Sequence, residues 1–241
     1  MSIDGSPNPP DTKPESGRRV LGDSVGVIGV AAVLIATLFL SSGRLDWVMA
    51  WLYLAARVAT GVAAALVITS RYPGLLEERF RPGAGVRAWD RPLSAATMLL
   101  SLVTLIVAGL DVRFGWPPGL SLAIRLAALS VWFLADVFSK WAAIANRFYS
   151  RVVRIQEDRG HTVVTDGPYR YVRHPGYAGA LLAGFATPVA LGSLWGLLPA
   201  CVMVILLVHR TALEDEVLRE QLPGYSNYAL RTRYRLLPGV W

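Results

Sequence analysis

The sequence predicts an all-α integral membrane protein of about six transmembrane helices, the last two forming a helical hairpin with polar segments at its open end. Composition and charge placement carry that prediction. Of 241 residues, 54% are hydrophobic and only 17% are charged, against about 25% charged in soluble domains, and mean hydropathy is +0.42. Such a chain is neither disordered nor an ordinary soluble domain. A single cysteine excludes an internal disulfide framework and a cysteine-based zinc cluster, and three histidines leave little for a histidine-rich metal site.

A bilayer-spanning helix needs about 20 mostly apolar residues. The stretch 24–43 holds 20 uncharged residues between Asp23 and Arg44. The second span, 47–70, is interrupted by Arg57, and 92–110 gives a third. The fourth, 120–143, carries Arg125 near one end and Asp136 and Lys140 near the other. Residues 175–208 then run 34 positions without a charge, about 51 Å as one helix and too long for a hydrocarbon core of about 30 Å. Pro188, Gly192, Gly196 and Pro199 lie near the middle, so this run reads as two short arms joined by a bend.

The balance of 24 Lys plus Arg against 17 Asp plus Glu gives a net charge of +7, and 22 of the cations are Arg. They follow a membrane pattern rather than one for nucleic acid. Three lie in the N-terminal tail, five over 71–91, six over 144–174 and five from Arg210 onward, while the alternate connections hold one, one and none. This alternation is the positive-inside pattern, and it requires the hairpin, because a single span over 175–208 would break it. Both termini and the large polar segments are therefore expected on the cytoplasmic side. The Arg-rich, Lys-poor composition points to a bacterial inner membrane. Residues 1–20, polar and proline-rich, read as a disordered cytoplasmic tail, 21–143 as a four-helix membrane region, and 144–241 as a region holding the hairpin and a C-terminal helix. Trp47, Trp51, Trp116, Trp195 and Trp241 fall at the expected membrane borders.

Two polar clusters stand out. The first, over 146–177, is crowded with Arg, His, Tyr and Gly and punctuated by Gly167-Pro168 and His174-Pro175; within it His161 to Val164 reads as a short extended piece. The second, over 209–222, has helical spacing and sets Arg210 and Glu214 at i and i+4, on one helix face. A hairpin returns the chain to the side it left, so the two clusters are expected to meet at one membrane surface.

The run GPYRYVRHPGYAG over 167–179 resembles the membrane motif of the isoprenylcysteine carboxyl methyltransferases and their phospholipid methyltransferase relatives. Arg210 to Glu214, and the tail over 222–238, resemble that family's closing segment. The resemblance covers roughly Gln156 to Pro238, two motifs in order around an apolar hairpin. It implies an integral membrane enzyme using S-adenosylmethionine as cofactor, without a Rossmann domain, and no G-x-G-x-x-G occurs in this chain. It further implies that Gln156, His161, Thr162, Val163, Val164, Tyr169, His174, Pro175, Gly176, Tyr177 and Glu214 bind the cofactor. Arg210 would hold a substrate carboxylate, Arg210 and Glu214 forming the catalytic pair. The substrate would be a lipophilic or prenylated molecule entering from the membrane lipid. The family's Glu-Glu pair reads Glu214-Asp215 here, and its Phe-Gly-x-Glu-Tyr stretch is reduced to Leu222-Pro223-Gly224-Tyr225.

Two other functions fit parts of the pattern: an NADPH-dependent membrane reductase of the sterol-reductase type, with a similar hairpin, and a non-catalytic lipid-binding scaffold. Simpler roles also stand beside the catalytic ones. Arg170 and Arg173 read as positive-inside anchors, and Arg210 with Glu214 as a surface ion pair of little energetic consequence. Arg57 lies inside a span, where an Arg costs at least ~2.5 kcal/mol on insertion scales; Asp136 is its candidate partner. Asp136 and Lys140, also at i and i+4, are expected to neutralise each other.

Overall fold

A computed structural model describes residues 15–80 and 85–241, with side chains from Gly29 onward except at 77, 78 and 80. The chain forms α1 (Glu15–Ser42), α2 (Val48–Arg71), α3 (Leu75–Phe80), α4 (Asp90–Phe114), α5 (Leu122–Ala145), α6 (Pro175–Leu191), α7 (Leu197–Gln221) and α8 (Tyr225–Arg231). Of the tail expected over 1–20, positions 1–14 lie outside the described residues, and the rest open α1. No strand occurs among the described residues; the His161 N–H donates to the Gln156 carbonyl, and 162–164 run outside any helix or strand. Helices α2, α4, α5 and α7 are long and apolar enough to cross a membrane; α6 and the Gly29–Ser42 part of α1 are shorter apolar helices. The protein is an all-α membrane protein.

Local sequence sets the helix ends. The Ser121 hydroxyl accepts from the Ile124 N–H to cap α5, and Pro175 stands in the first turn of α6. The expected bend is present. Gly192 ends α6 with φ of 93°, a left-handed conformation that glycine adopts without strain. The Ser193 hydroxyl then accepts from the Gly196 N–H, just before α7.

The two ends of the bundle differ in chemistry. At one end Trp195 Nε1 donates to the Pro117 carbonyl, joining the hairpin bend to the α4–α5 connection. At the other end the described parts of three Arg-rich segments gather. The Arg87 N–H donates to the Val153 carbonyl, and the Arg173 and His174 N–H groups donate to the Tyr234 and Arg235 carbonyls. Arg79 Nη2 donates to the Ala143 and Asn146 carbonyls at the end of α5. Residues 71–80, 85–91, 144–174 and 210–241 thus form one polar cap.

Within the bundle Trp132 is packed edge-on to Tyr53, ring centroids 4.9 Å apart, in a core with Leu38, Ala50, Leu105 and Leu191. Trp47 joins that core as a buried residue, unlike the exposed Trp51, Trp116 and Trp195; of the border tryptophans, this one packs inward. Helices α5 and α6 are the most closely apposed pair, and Gly179 permits it. A Cβ there would lie 2.5 Å from the Ala135 carbonyl oxygen and 2.8 Å from the Ser139 Cβ, the close small-residue contact of membrane helices. Gly179→Val is expected to destabilise the bundle by about 1–3 kcal/mol through overpacking, seen as a lower Tm in detergent. Gly119→Ala, in open space, should leave Tm unchanged. Equal Tm values for the two variants would contradict this packing.

Candidate active site

A cavity of about 1070 Å³ runs from the polar cap down between the membrane helices. Its upper wall includes Gln156, His161, Thr162, Val163, Val164, Tyr169, His174, Gly176, Tyr177, Arg210 and Glu214. Its lower wall is built from α1, α2, α4, α5, α6 and α7, with Val30, Tyr53, Leu105, Trp132 and Met203 among its residues. Every residue expected to bind cofactor or substrate lines this one space except Pro175, which is buried behind it.

The two clusters meet where α6 and α7 leave the apolar layer. The Tyr177 hydroxyl donates to Glu214 Oε2. The Arg210 guanidinium lies over the Tyr177 ring, 5.3 Å from its centroid. Arg210 and Glu214 share a helix face without forming a direct ion pair. Arg210 Nε instead donates to Asp90 Oδ1 at 2.7 Å, and its Nη2 to the Arg151 carbonyl at 2.8 Å. Asp90 is fully buried, and its Oδ2 accepts from the Val153 N–H. Arg210 is therefore a held and buried cation, not a surface one.

Behind this layer sits Asp215, with no exposed surface. Its Oδ1 accepts from Arg173 Nε at 2.7 Å and from the Tyr225 hydroxyl at 2.9 Å, with His174 Nε2 at 3.2 Å. Its Oδ2 accepts from Arg173 Nη2, Arg219 Nε and Arg235 Nε at 3.1, 3.0 and 2.9 Å. Arg173 Nη1 also donates to the Thr232 and Arg233 carbonyls. Arg170 is exposed and pairs with Asp166, whereas the anchor reading fails for Arg173, a buried structural cation whose donors Asp215 and two carbonyls consume.

The wall over 156–169 is held by its own contacts. The Gln156 side chain donates to the Phe148 carbonyl and accepts from Arg159 Nη1, so its amide is used internally. The His161 ring lies 4.6 Å from that of Phe148. Burial, reinforced by Arg154 and Arg159, lowers its pKa to about 4, which keeps it neutral at pH 7. Among the described residues, the N–H groups of Thr162, Val163 and Val164 make no backbone hydrogen bond, leaving main-chain donors at the cavity wall. The Tyr169 hydroxyl accepts from Asn146 Nδ2, and its carbonyl accepts from the Tyr228 hydroxyl. Burial raises the Tyr169 and Tyr225 pKa values and pushes Tyr228 to about 12, so these phenols stay protonated and serve as donors. Gly176 is required by Tyr149, whose ring would lie 2.8 Å from an added Cβ.

The sequence profile of the isoprenylcysteine carboxyl methyltransferase family matches residues 126–220. Over this segment the chain is similar to that family. The family match begins within α5, earlier than the motif resemblance suggests, and stops before the tail over 222–238. A probable protein-S-isoprenylcysteine O-methyltransferase of Oryza sativa subsp. indica is 35% identical over 69 residues, 28% of this chain and 36% of the relative. Protein-S-isoprenylcysteine O-methyltransferase B of Arabidopsis thaliana is 34% identical over 64 residues, 26% and 32% of the two chains. The Schizosaccharomyces pombe enzyme is 39% identical over 49 residues, 20% and 21%. The aligned region spans about a third of the length of the plant relatives. Asp90, outside the family match, was missed in the sequence because its partner lies far along the chain. Asp215 and Arg173 sit within motifs but carry no local sign of pairing.

Two outcomes follow from this geometry. Asp215→Asn is expected to destabilise the protein by about 3–5 kcal/mol, because it strands a buried Arg173; retention of the wild-type Tm would contradict the network. Below about pH 6.5 the unfolded chain protonates His161, whereas the folded chain does so only near pH 4. Its contribution is full above pH 6.5 and is lost as pH falls towards 4. His161→Gln should flatten the fall of Tm across that window, and an unchanged profile would contradict a neutral, half-buried ring.

Proposed function

We propose that this protein is an integral membrane S-adenosylmethionine-dependent O-methyltransferase that esterifies a carboxylate on an isoprenylated or other lipophilic substrate. The observation that carries the reading is the Tyr177–Glu214 hydrogen bond with Arg210 stacked on Tyr177. It lies where the polar and apolar parts of one cavity join, within a segment of a methyltransferase family.

The residues fit the cofactor. The unpaired main chain over 162–164 suits an adenine edge, Glu214 suits an ammonium or ribose hydroxyls, and the Tyr177 face suits a sulfonium. When bound, the cofactor supplies an electrophilic methyl group. A carboxylate acceptor is already ionised at neutral pH, so no base is required, and the protein's task is alignment and exclusion of water. Asp90 and the Arg151 carbonyl fix the plane of Arg210. Its Nη1 and the second proton of Nη2 remain to hold a carboxylate by charge-assisted hydrogen bonds. His174 and Tyr177 are kept in place by Asp215 and Glu214. The basic cap would face the cytoplasm under the positive-inside rule, where soluble cofactor and membrane-borne acceptor meet.

Purified full-length protein should bind S-adenosylhomocysteine in calorimetry and label a prenylated cysteine with base-labile methyl groups from labelled cofactor. Glu214→Gln should weaken S-adenosylhomocysteine about tenfold or more, the loss of one hydrogen bond to a charged group. Arg210→Gln should chiefly reduce methylation. Thermal stabilisation by NADPH and none by S-adenosylhomocysteine would overturn the reading in favour of a reductase.

A further inference from the structure

The lower cavity is not lined like a slot for unbroken hydrocarbon. Arg57 on α2, and Asp136 and Lys140 on α5, all line it. Asp136, the candidate partner of Arg57, is occupied elsewhere. Its Oδ1 accepts from Lys140 Nζ at 3.0 Å and its Oδ2 from the Thr60 hydroxyl at 2.6 Å. Asp136 and Lys140 neutralise each other as expected. Among the described residues, no carboxylate lies within ion-pair distance of Arg57, a half-buried cation. The group formed by Arg57, Lys140 and Asp136 therefore carries one net positive charge on the cavity wall. Across from it, α4 presents Ser94, Thr97, Ser101 and Thr104 to the same space. Their spacing of three, four and three places them on one helix face. An intramembrane cation facing a cavity, with its acid engaged by another base, marks a ligand contact.

Its depth is set by the helices. The Ser139 hydroxyl donates to the Gly176 carbonyl, at the level of Tyr177. Asp136 lies three residues deeper on α5, and Arg57 three residues deeper than Thr60 on α2. At 1.5 Å per residue Asp136 and Arg57 sit about 5 and 9 Å below the methyl-transfer level, and the Lys140 ammonium reaches down to Asp136.

Resting on the reading of the upper cavity given above, we propose that Arg57, supported by Lys140, is a second anchor for the acceptor. The substrate is then an amphiphile with an anionic group along its chain, one helical turn or two below the carboxylate at Arg210. Octanedioic acid, whose carboxyl carbons lie about 9 Å apart when extended, and octanoic acid are suitable probes, differing only in the second carboxylate.

The test is thermal stabilisation of the detergent-purified full chain by each acid, with S-adenosylhomocysteine measured separately. The wild type should bind the diacid about tenfold more tightly than the monoacid, as a charge-assisted contact predicts. Arg57→Met should bring that ratio close to one while S-adenosylhomocysteine still stabilises the variant. Lys140→Met should lower the ratio in part, and it serves if Arg57→Met does not fold. Equal binding of the two acids by the wild type, an unchanged ratio in both variants, or loss of S-adenosylhomocysteine binding in a folded Arg57→Met would overturn the second anchor. Failure of the wild type to bind S-adenosylhomocysteine, with the acid ratio intact, would instead overturn the methyltransferase reading alone.

Discussion

A carboxylate removed entirely from solvent must be met by cations and donors on nearly every lone pair, because the desolvation of an unpaired ion is several kcal/mol. Asp215 meets that requirement with Arg173, Arg219, Arg235, Tyr225 and His174. Those partners come from the loop before α6, from α7, from α8 and from the C-terminal tail. Satisfying one buried charge therefore closes the polar cap and fixes the start of α6, where His174 and Tyr177 stand. The Arg210–Asp90 pair repeats the device on the other side of α7 and ties the start of α4 to the same cap.

Helix α7 carries both tasks because adjacent helical positions point about 100° apart. Glu214 faces Tyr177 and the cavity, while Asp215, one residue on, faces Arg173 and the interior behind it. The departure from a Glu-Glu pair to Glu214-Asp215 falls on the structural member of the two, where the carboxylate is enclosed by three guanidinium groups. The lining position keeps its glutamate.

What local sequence encodes was legible, and what distant partners encode was not. The spans follow from uncharged length, and the bend at Gly192 from the clash between a 34-residue run and bilayer thickness. The Asp136–Lys140 pair follows from i,i+4 spacing. Arg170 and Arg173, three residues apart and alike in sequence, end exposed and buried respectively. Only the return of α7 and the tail over 232–235 distinguishes them. Asp90, two residues before the third expected span, carries no local mark of its role because its partner Arg210 lies 120 positions away. Arg57 was assigned Asp136 on charge alone, before the geometry gave that acid to Lys140 and Thr60.

The central claim is that the segment ending at Tyr177 and the turn bearing Arg210 and Glu214 enclose one ligand as a unit. A double-mutant cycle on S-adenosylhomocysteine affinity, using Tyr177→Phe and Glu214→Gln in the full chain, addresses it most directly. The account predicts strong non-additivity, with a coupling of about 0.5–3 kcal/mol, since the second substitution removes a partner already lost. Strictly additive effects, or no effect of either change on affinity, would contradict it.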